Sequence, residues 1–151
     1  MLALASGACL PRKGNIAEAA VALEAAKLGI DVYRPYGEGG RYDMLFDLGS
    51  RFARIQCRWA PLKGEVVVVR CYSSRRNREG LVRRVYAPGE IDAFAAYCPD
   101  VGRCYFLPCD QFSGRSQIDL RLKPTRNNQR QAINWAKDFE FAAKLRAVSG
   151  P

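Results

Sequence analysis

A chain of 151 residues, 48% hydrophobic and 26% charged, suits one domain with a real hydrophobic core and excludes a disordered tail. The formal net charge of +9, from 24 Lys+Arg against 15 Asp+Glu, favours a polyanionic partner, with a basic protein that has no nucleic-acid role as the alternative. No histidine is present, which excludes Ser-His and Cys-His triads and histidine general bases. No apolar run is long enough to span a bilayer. The six cysteines form no C-x-x-C pair and most lie in apolar segments, so they read as free buried thiols in a reducing cytosol.

Residues 1–13 read as a disordered leader: the apolar stretch is short and lacks the charged start of a signal peptide. Residues 15–28 have amphipathic helical spacing, with Asn15 as N-cap, Glu18 at the capping-box position and Gly29 after the last turn. "IDVYRP" predicts a short strand and "YGEGG" a turn. Residues 42–48 and 51–58 predict a hairpin on a type II′ turn at Gly49-Ser50. "EVVVVRCY" predicts a central buried strand, the third of the hairpin's sheet. "SSRRNREGLVRR" reads as a basic surface loop. "PGEIDAFAAYC" spaces Ile91, Phe94, Ala95 and Cys98 as a short helix, with a strand as the alternative. "RCYFLPC" predicts another strand and "LKPTRNNQRQ" a polar loop. A closing helix then carries Ile133, Ala136, Phe139, Ala143 and Leu145. The expected class is α/β (an α+β mixed sheet): helix, three-strand meander, helix, strand and C-terminal helix. It forms one domain over 14–146 with a tail at 147–151.

The two-residue loop fixes the hairpin register. Leu48 faces Arg51, Asp47 faces Phe52, Leu45 faces Arg54 and Asp43 faces Gln56. Opposed residues share a face, and Arg58 lies two residues beyond Gln56, so an acid, an amide and a cation gather there. Ile55 and Cys57 point the other way. Such a set suits phosphate-ester cleavage: the acid holds a hard divalent cation, the amide ligates it or positions water, and the arginine stabilises developing charge. A partly exposed polar hairpin face is the plainer alternative.

"YD", about a dozen residues and "IQCRW" resemble the PD-(D/E)XK nuclease signature, and most closely the group I intron-associated homing endonucleases, in which glutamine replaces the second acid as Q-x-K. "GNIAEAAVALEAAKLGIDVYRPYGEGGRYD", "GEIDAFAAYCPDVGRCYFLP" and "RNNQRQAINWAKDFE" extend the resemblance over residues 14–141. It implies a restriction-endonuclease-like core and Mg2+ or Mn2+ as cofactor. Asp43 matches the metal-binding aspartate, Gln56 the usual second acid and Arg58 the lysine. Glu18 matches the helix acid that some branches, including Holliday-junction resolvases, add to the metal site, beside its capping role. Cys57 matches the residue that lends a main-chain carbonyl. Arg58 departs from the pattern, because an arginine keeps charge but cannot act as a neutral base. Lys63 is a possible auxiliary cation.

Arg75, Arg76, Arg78, Arg83 and Arg84 are candidate phosphate contacts, with a solvated charge run as the alternative. Asn128 and Gln129 suit base edges, with a polar helix flank as the alternative. The resulting expectation is a site-specific endonuclease of double-stranded DNA, a homo-oligomer (dimer or tetramer), cytoplasmic and nucleoid-associated. No membrane partner and no nucleotide cofactor are expected. The alternatives are a resolvase or repair-type nuclease, or a DNA-binding protein impaired by Arg58.

Overall fold

The computed structural model describes residues 10–112, 114–127 and 131–149. Helix α1 spans Leu10–Lys27. It starts earlier than predicted, so Asn15 lies inside it and caps nothing, and Leu10–Lys13 belong to the helix rather than to a leader. Pro11 is compatible with this start, because the first turn needs no N–H there. The end is as predicted. Gly29 has φ 76°, its N–H donates to the Ala26 carbonyl (2.9 Å) and that of Ile30 to the Ala25 carbonyl (3.1 Å), which is a Schellman cap.

Strands β1 (Asp31–Tyr33), β2 (Met44–Asp47) and β3 (Phe52–Trp59) form an antiparallel meander. The hairpin register is the predicted one, with Leu45 opposite Arg54, Asp47 opposite Phe52 and the Leu48 N–H on the Arg51 carbonyl at 2.9 Å. Gly49 has φ 84° and Ser50 does not enter positive φ, the type II′ combination.

Beyond β3 three expectations are corrected. The valine run is β5 (Val66–Arg70), but it does not adjoin the hairpin. It pairs with β4 (Leu62–Lys63) and β10 (Gln117–Arg121) in a second sheet. The basic segment is a two-stranded antiparallel ribbon, β6 (Tyr72–Asn77) and β7 (Gly80–Val85), rather than a loop. The expected second helix is strand β8 (Ala93–Cys98), which runs parallel to β3 and antiparallel to β9 (Arg103–Pro108). The physical reason is two-sided burial. Ala93 and Ala95 enter one core while Phe94, Ala96 and Cys98 enter another, so the apolar run belongs to a central strand.

The closing helix is also shorter than expected. β11 (Asn134–Trp135) pairs parallel to β10, a 3-10 turn covers Ala136–Phe139, and α2 spans only Phe141–Ser149. Glu140 between them is extended (φ −53°, ψ 133°) and bridges to Tyr105.

The molecule therefore has three layers. The five-stranded sheet, in order β1-β2-β3-β8-β9, lies between the two helices and the four-stranded sheet β11-β10-β5-β4. On the helix side Val21, Phe46, Ile55, Phe106, Phe141 and Leu145 pack, with Phe141 edge-on to Phe46 (6.1 Å) and Phe106 (6.0 Å). On the other side Val67, Val69, Ile118 and Leu120 meet Phe94, Tyr105 and Leu107. Each such side chain contributes about 1.5–3 kcal/mol by burial. This double seal fixes the middle strand, β3, whose far end carries the polar residues of interest. No described helix is long and apolar enough to cross a membrane.

Candidate active site

Asp43 stands just before the first paired residue of β2. Its N–H donates to the Ile55 carbonyl at 2.8 Å, and its Oδ2 accepts the Cys57 N–H at 2.8 Å. The carboxylate thus caps the rung of β3 where β2 stops, which fixes its position by backbone geometry. Peptide groups alternate along a strand: those of Ile55 and Cys57 face β2, and that of Arg54 faces the β8 side, accepting the Asp92 N–H at 2.9 Å. The Cys57 carbonyl accordingly lies on the Asp43 edge, while its thiol enters the helix-side core.

Glu18 reaches the same point from α1. Burial, followed by the adjacent Asp43, pushes its carboxyl above the ordinary value, and Arg34 partly opposes this by pairing with it. Two carboxyl groups held together against the sheet edge form an electron-rich oxygen site.

Gln56 and Arg58 lie on the opposite face of β3 from Ile55 and Cys57, both half-buried, with Gln56 level with Phe94 of β8. Arg58 is held from the ribbon side. Its Nη2 donates to the Tyr72 carbonyl (2.8 Å) and to the Tyr86 hydroxyl (3.1 Å), while its buried Nε has no partner among the described residues. Tyr86 is also held by Arg41, whose guanidinium lies 3.9 Å from the ring centre. Arg41 also donates to Glu90 Oε2 (2.9 and 3.2 Å) and to Ser73 Oγ (3.0 Å), and Arg84 donates to Glu90 Oε1 at 2.7 Å. The Ala87 N–H, with Arg41 and Arg84, holds the Glu90 carboxyl below its ordinary value. Burial pushes the Tyr86 phenol up, only partly offset by Arg58 and Arg41.

Asp43, Glu18 and the Cys57 main chain therefore meet at one end of the hairpin, while Gln56 and Arg58 leave the same strand end on the other face of β3, Arg58 toward Tyr72 and Tyr86. Lys63 does not join them. It is exposed on β4, and among the described residues no hydrogen bond or ion pair links it to that group. Arg75, Arg76, Arg78, Arg83 and Arg84 belong to the ribbon or its turn, and Asn128 and Gln129 lie outside the described residues. Arg34, Arg41, Tyr86 and Glu90 were not expected in the site. Arg41 stands two residues before Asp43, a signal of proximity, but no spacing links Tyr86 or Glu90 to the hairpin.

The oxygens that meet there fit a hard divalent cation: two carboxylates and a main-chain carbonyl. Among the described residues no three His, Cys, Asp or Glu side chains cluster as a metal site. A small cation such as Mg2+ takes one or two carboxylates and fills its shell with water and phosphate oxygens, so two acids suffice. The thiols are not ligands. Cys57, Cys71, Cys98 and Cys104 are buried and free, and burial pushes Cys71 and Cys104 up to about 12.

The family model for PD-(D/E)XK endonucleases matches residues 11–142. Among solved structures, the chain resembles that of a bacterial homing endonuclease, I-Ssp6803I, with 27% identity and a TM-score of 0.74 over 91% of this chain and 93% of that one. Among curated proteins, none matches the chain by sequence.

Proposed function

Because this chain belongs to the PD-(D/E)XK endonuclease family, we propose that it hydrolyses phosphodiester bonds of double-stranded DNA at a specific site, as an intron-homing enzyme using Mg2+ or Mn2+. The observation that carries this reading is the Asp43 carboxylate, fixed at the strand end by the Cys57 N–H with Glu18 beside it. Similarity to a bacterial homing endonuclease over nearly the full length of both chains supports the homing role.

Asp43, Glu18 and the Cys57 carbonyl would hold the cation, and the Gln56 amide would ligate it or orient water. Once bound, such an ion polarises the phosphate and supplies a water of lowered pKa. Arg58, fixed by Tyr72 and Tyr86, places positive charge where the phosphate oxygens gain negative charge. Its guanidinium stays protonated, so it is not the general base. The net charge of +9 steers the protein onto DNA, including that of the nucleoid. A long target needs more surface than one such domain offers, so a homo-oligomer acts on it.

The test is incubation with genomic DNA that lacks the intron and with a library of randomised duplexes, with cut ends mapped by sequencing, alongside a synthetic four-way junction. Mg2+-dependent ends at one or few positions, absent with EDTA, are expected. Cleavage of the junction alone would replace homing by resolution, and no Mg2+-dependent product on any of these DNAs would overturn the nuclease reading.

A further inference from the structure

The ribbon β6–β7 belongs to neither sheet. Its strands run six residues each, about 20 Å. They turn at Arg78-Glu79, where Asn77 Oδ1 accepts the Glu79 N–H at 2.9 Å. Between residues 72 and 85 it carries five arginines and one glutamate. Among the described residues Arg84 alone of the five pairs with a carboxylate. Leu81 (57%) and Val82 (48%) are exposed beside the arginines. A hairpin outside both sheets that displays positive charge and aliphatic side chains beyond its tied base is a poor solvated surface. It is, however, the shape that enters the major groove of B-DNA, about 12 Å wide, where arginine pairs with guanine O6 and N7 and apolar groups meet the thymine methyl.

The register separates the two faces. Ser73, Arg75, Val82 and Arg84 share one; Ser74, Arg76, Leu81 and Arg83 share the other. The first is turned to the domain at its base, through Ser73 on Arg41 and Arg84 on Glu90. On the second, Arg83 lies over the Tyr72 ring at 4.7 Å, within the ribbon, and among the described residues no side-chain hydrogen bond or ion pair ties Ser74, Arg76, Leu81 or Arg83 to the domain. Resting on the DNA-nuclease reading and extending it, we infer that this ribbon is the sequence-reading element of the enzyme. It lies in the major groove with Arg76 and Arg83 on guanine edges, Leu81 against a thymine methyl, and Arg75 on the flanking phosphates. The ribbon's base accepts a hydrogen bond from Arg58 at the Tyr72 carbonyl, and with the Arg41–Ser73 and Arg84–Glu90 bonds this joins the reading element to the cleavage site.

The test uses the full chain in Ca2+ with a pool of randomised duplexes, sequenced after rounds of binding. Wild type enriches a guanine-containing motif. Arg76→Ala and Arg83→Ala each lower discrimination at one position by roughly ten- to a hundred-fold and leave the other positions unchanged. Arg75→Ala weakens every duplex by a similar factor and leaves the motif intact. Replacing guanine by 7-deazaguanine, which removes a major-groove acceptor only, weakens wild type but not the Arg76→Ala, Arg83→Ala double variant. These arginines are exposed and outside both sheets, so unchanged Tm values confirm the fold of each variant. An unaltered motif in the double variant overturns the inference while leaving the nuclease reading in place, as does a wild type that enriches no motif yet cuts in Mg2+. Neither enrichment nor Mg2+ cleavage by wild type overturns both.

Discussion

Replacing Arg58 by alanine separates the electrostatic from the structural work of this side chain. Its Nη2 makes two hydrogen bonds, to the Tyr72 carbonyl and the Tyr86 hydroxyl. A bond from a charged donor is worth about 1.5–3 kcal/mol, and the lower end applies because both acceptors regain water once the arginine is gone. Against the resulting loss of about 3 kcal/mol stands relief of the buried, unpartnered Nε, about 1–2 kcal/mol. The net cost is about 1–2 kcal/mol, or a fall in Tm of about 2–8 °C for a chain of this length. Cleavage should fall far more, on the order of 10²-fold or beyond, because a fixed charge at the phosphate is lost. Arg58→Lys keeps the charge and the residue of the family pattern, so it should retain or raise cleavage with a Tm between the two. Single-turnover cleavage in Mg2+ beside a thermal melt measures both. Wild-type cleavage by Arg58→Ala would refute the reasoning and assign the cation elsewhere, with Arg34, already on Glu18, ahead of Lys63.

Leu145, fully buried where α2 meets the sheet, should cost about 2–5 kcal/mol as Leu145→Ala, read by chemical denaturation. Asp92 is held below the ordinary carboxylate value: burial pushes it up, but the bonds from Arg54 outweigh that. A depressed folded value means stability that is present above the unfolded value near 3.9 and lost as pH falls through the folded one. Asp92→Ala should therefore lower Tm at pH 7 and match wild type near pH 2. The effect should be no more than about 1 kcal/mol, because Arg54 is over a third exposed. A variant that is equally destabilised at both pH values would show that the pair is irrelevant. The thiols of Cys57, Cys71, Cys98 and Cys104 should resist a disulfide reagent at pH 8 in the folded protein and react on unfolding; rapid labelling of Cys71 or Cys104 would contradict their burial.

The hairpin was legible because its signals are local. A glycine-led two-residue turn sets the register from Asp47–Phe52 to Met44–Ile55; beyond it Asp43 bonds to the Ile55 carbonyl and the Cys57 N–H, flanking rather than facing Gln56. The Gly29 cap is local too. The start of α1 was not legible, since Asn15 and Glu18 offered a competing local cap that the longer helix overrode. The apolar run at Ala93–Cys98 satisfies helical spacing equally well, and only the presence of a second core above it makes it a strand. That second core comes from pairing β5 with β10, and the run QIDLR drew no strand prediction, so β5 was placed in the wrong sheet. In the ribbon, charge masked a β pattern that Tyr72, Val82, Val85 and the Asn77–Gly80 turn do carry. The grip on Arg58 depends on Tyr86 and Arg41, brought there by the sheet and ribbon rather than by sequence spacing.

The central claim is that Asp43 anchors metal-dependent cleavage, and paired assays on Asp43→Ala and Asp43→Asn test it most directly. Asparagine retains an oxygen that can accept the Cys57 N–H, so it keeps the strand end while removing the charge. Cleavage in Mg2+ should vanish in both variants, while DNA binding in Ca2+, which occupies oxygen sites but supports this chemistry poorly, should persist in the asparagine variant. Wild-type cleavage rates in Asp43→Asn would contradict the account.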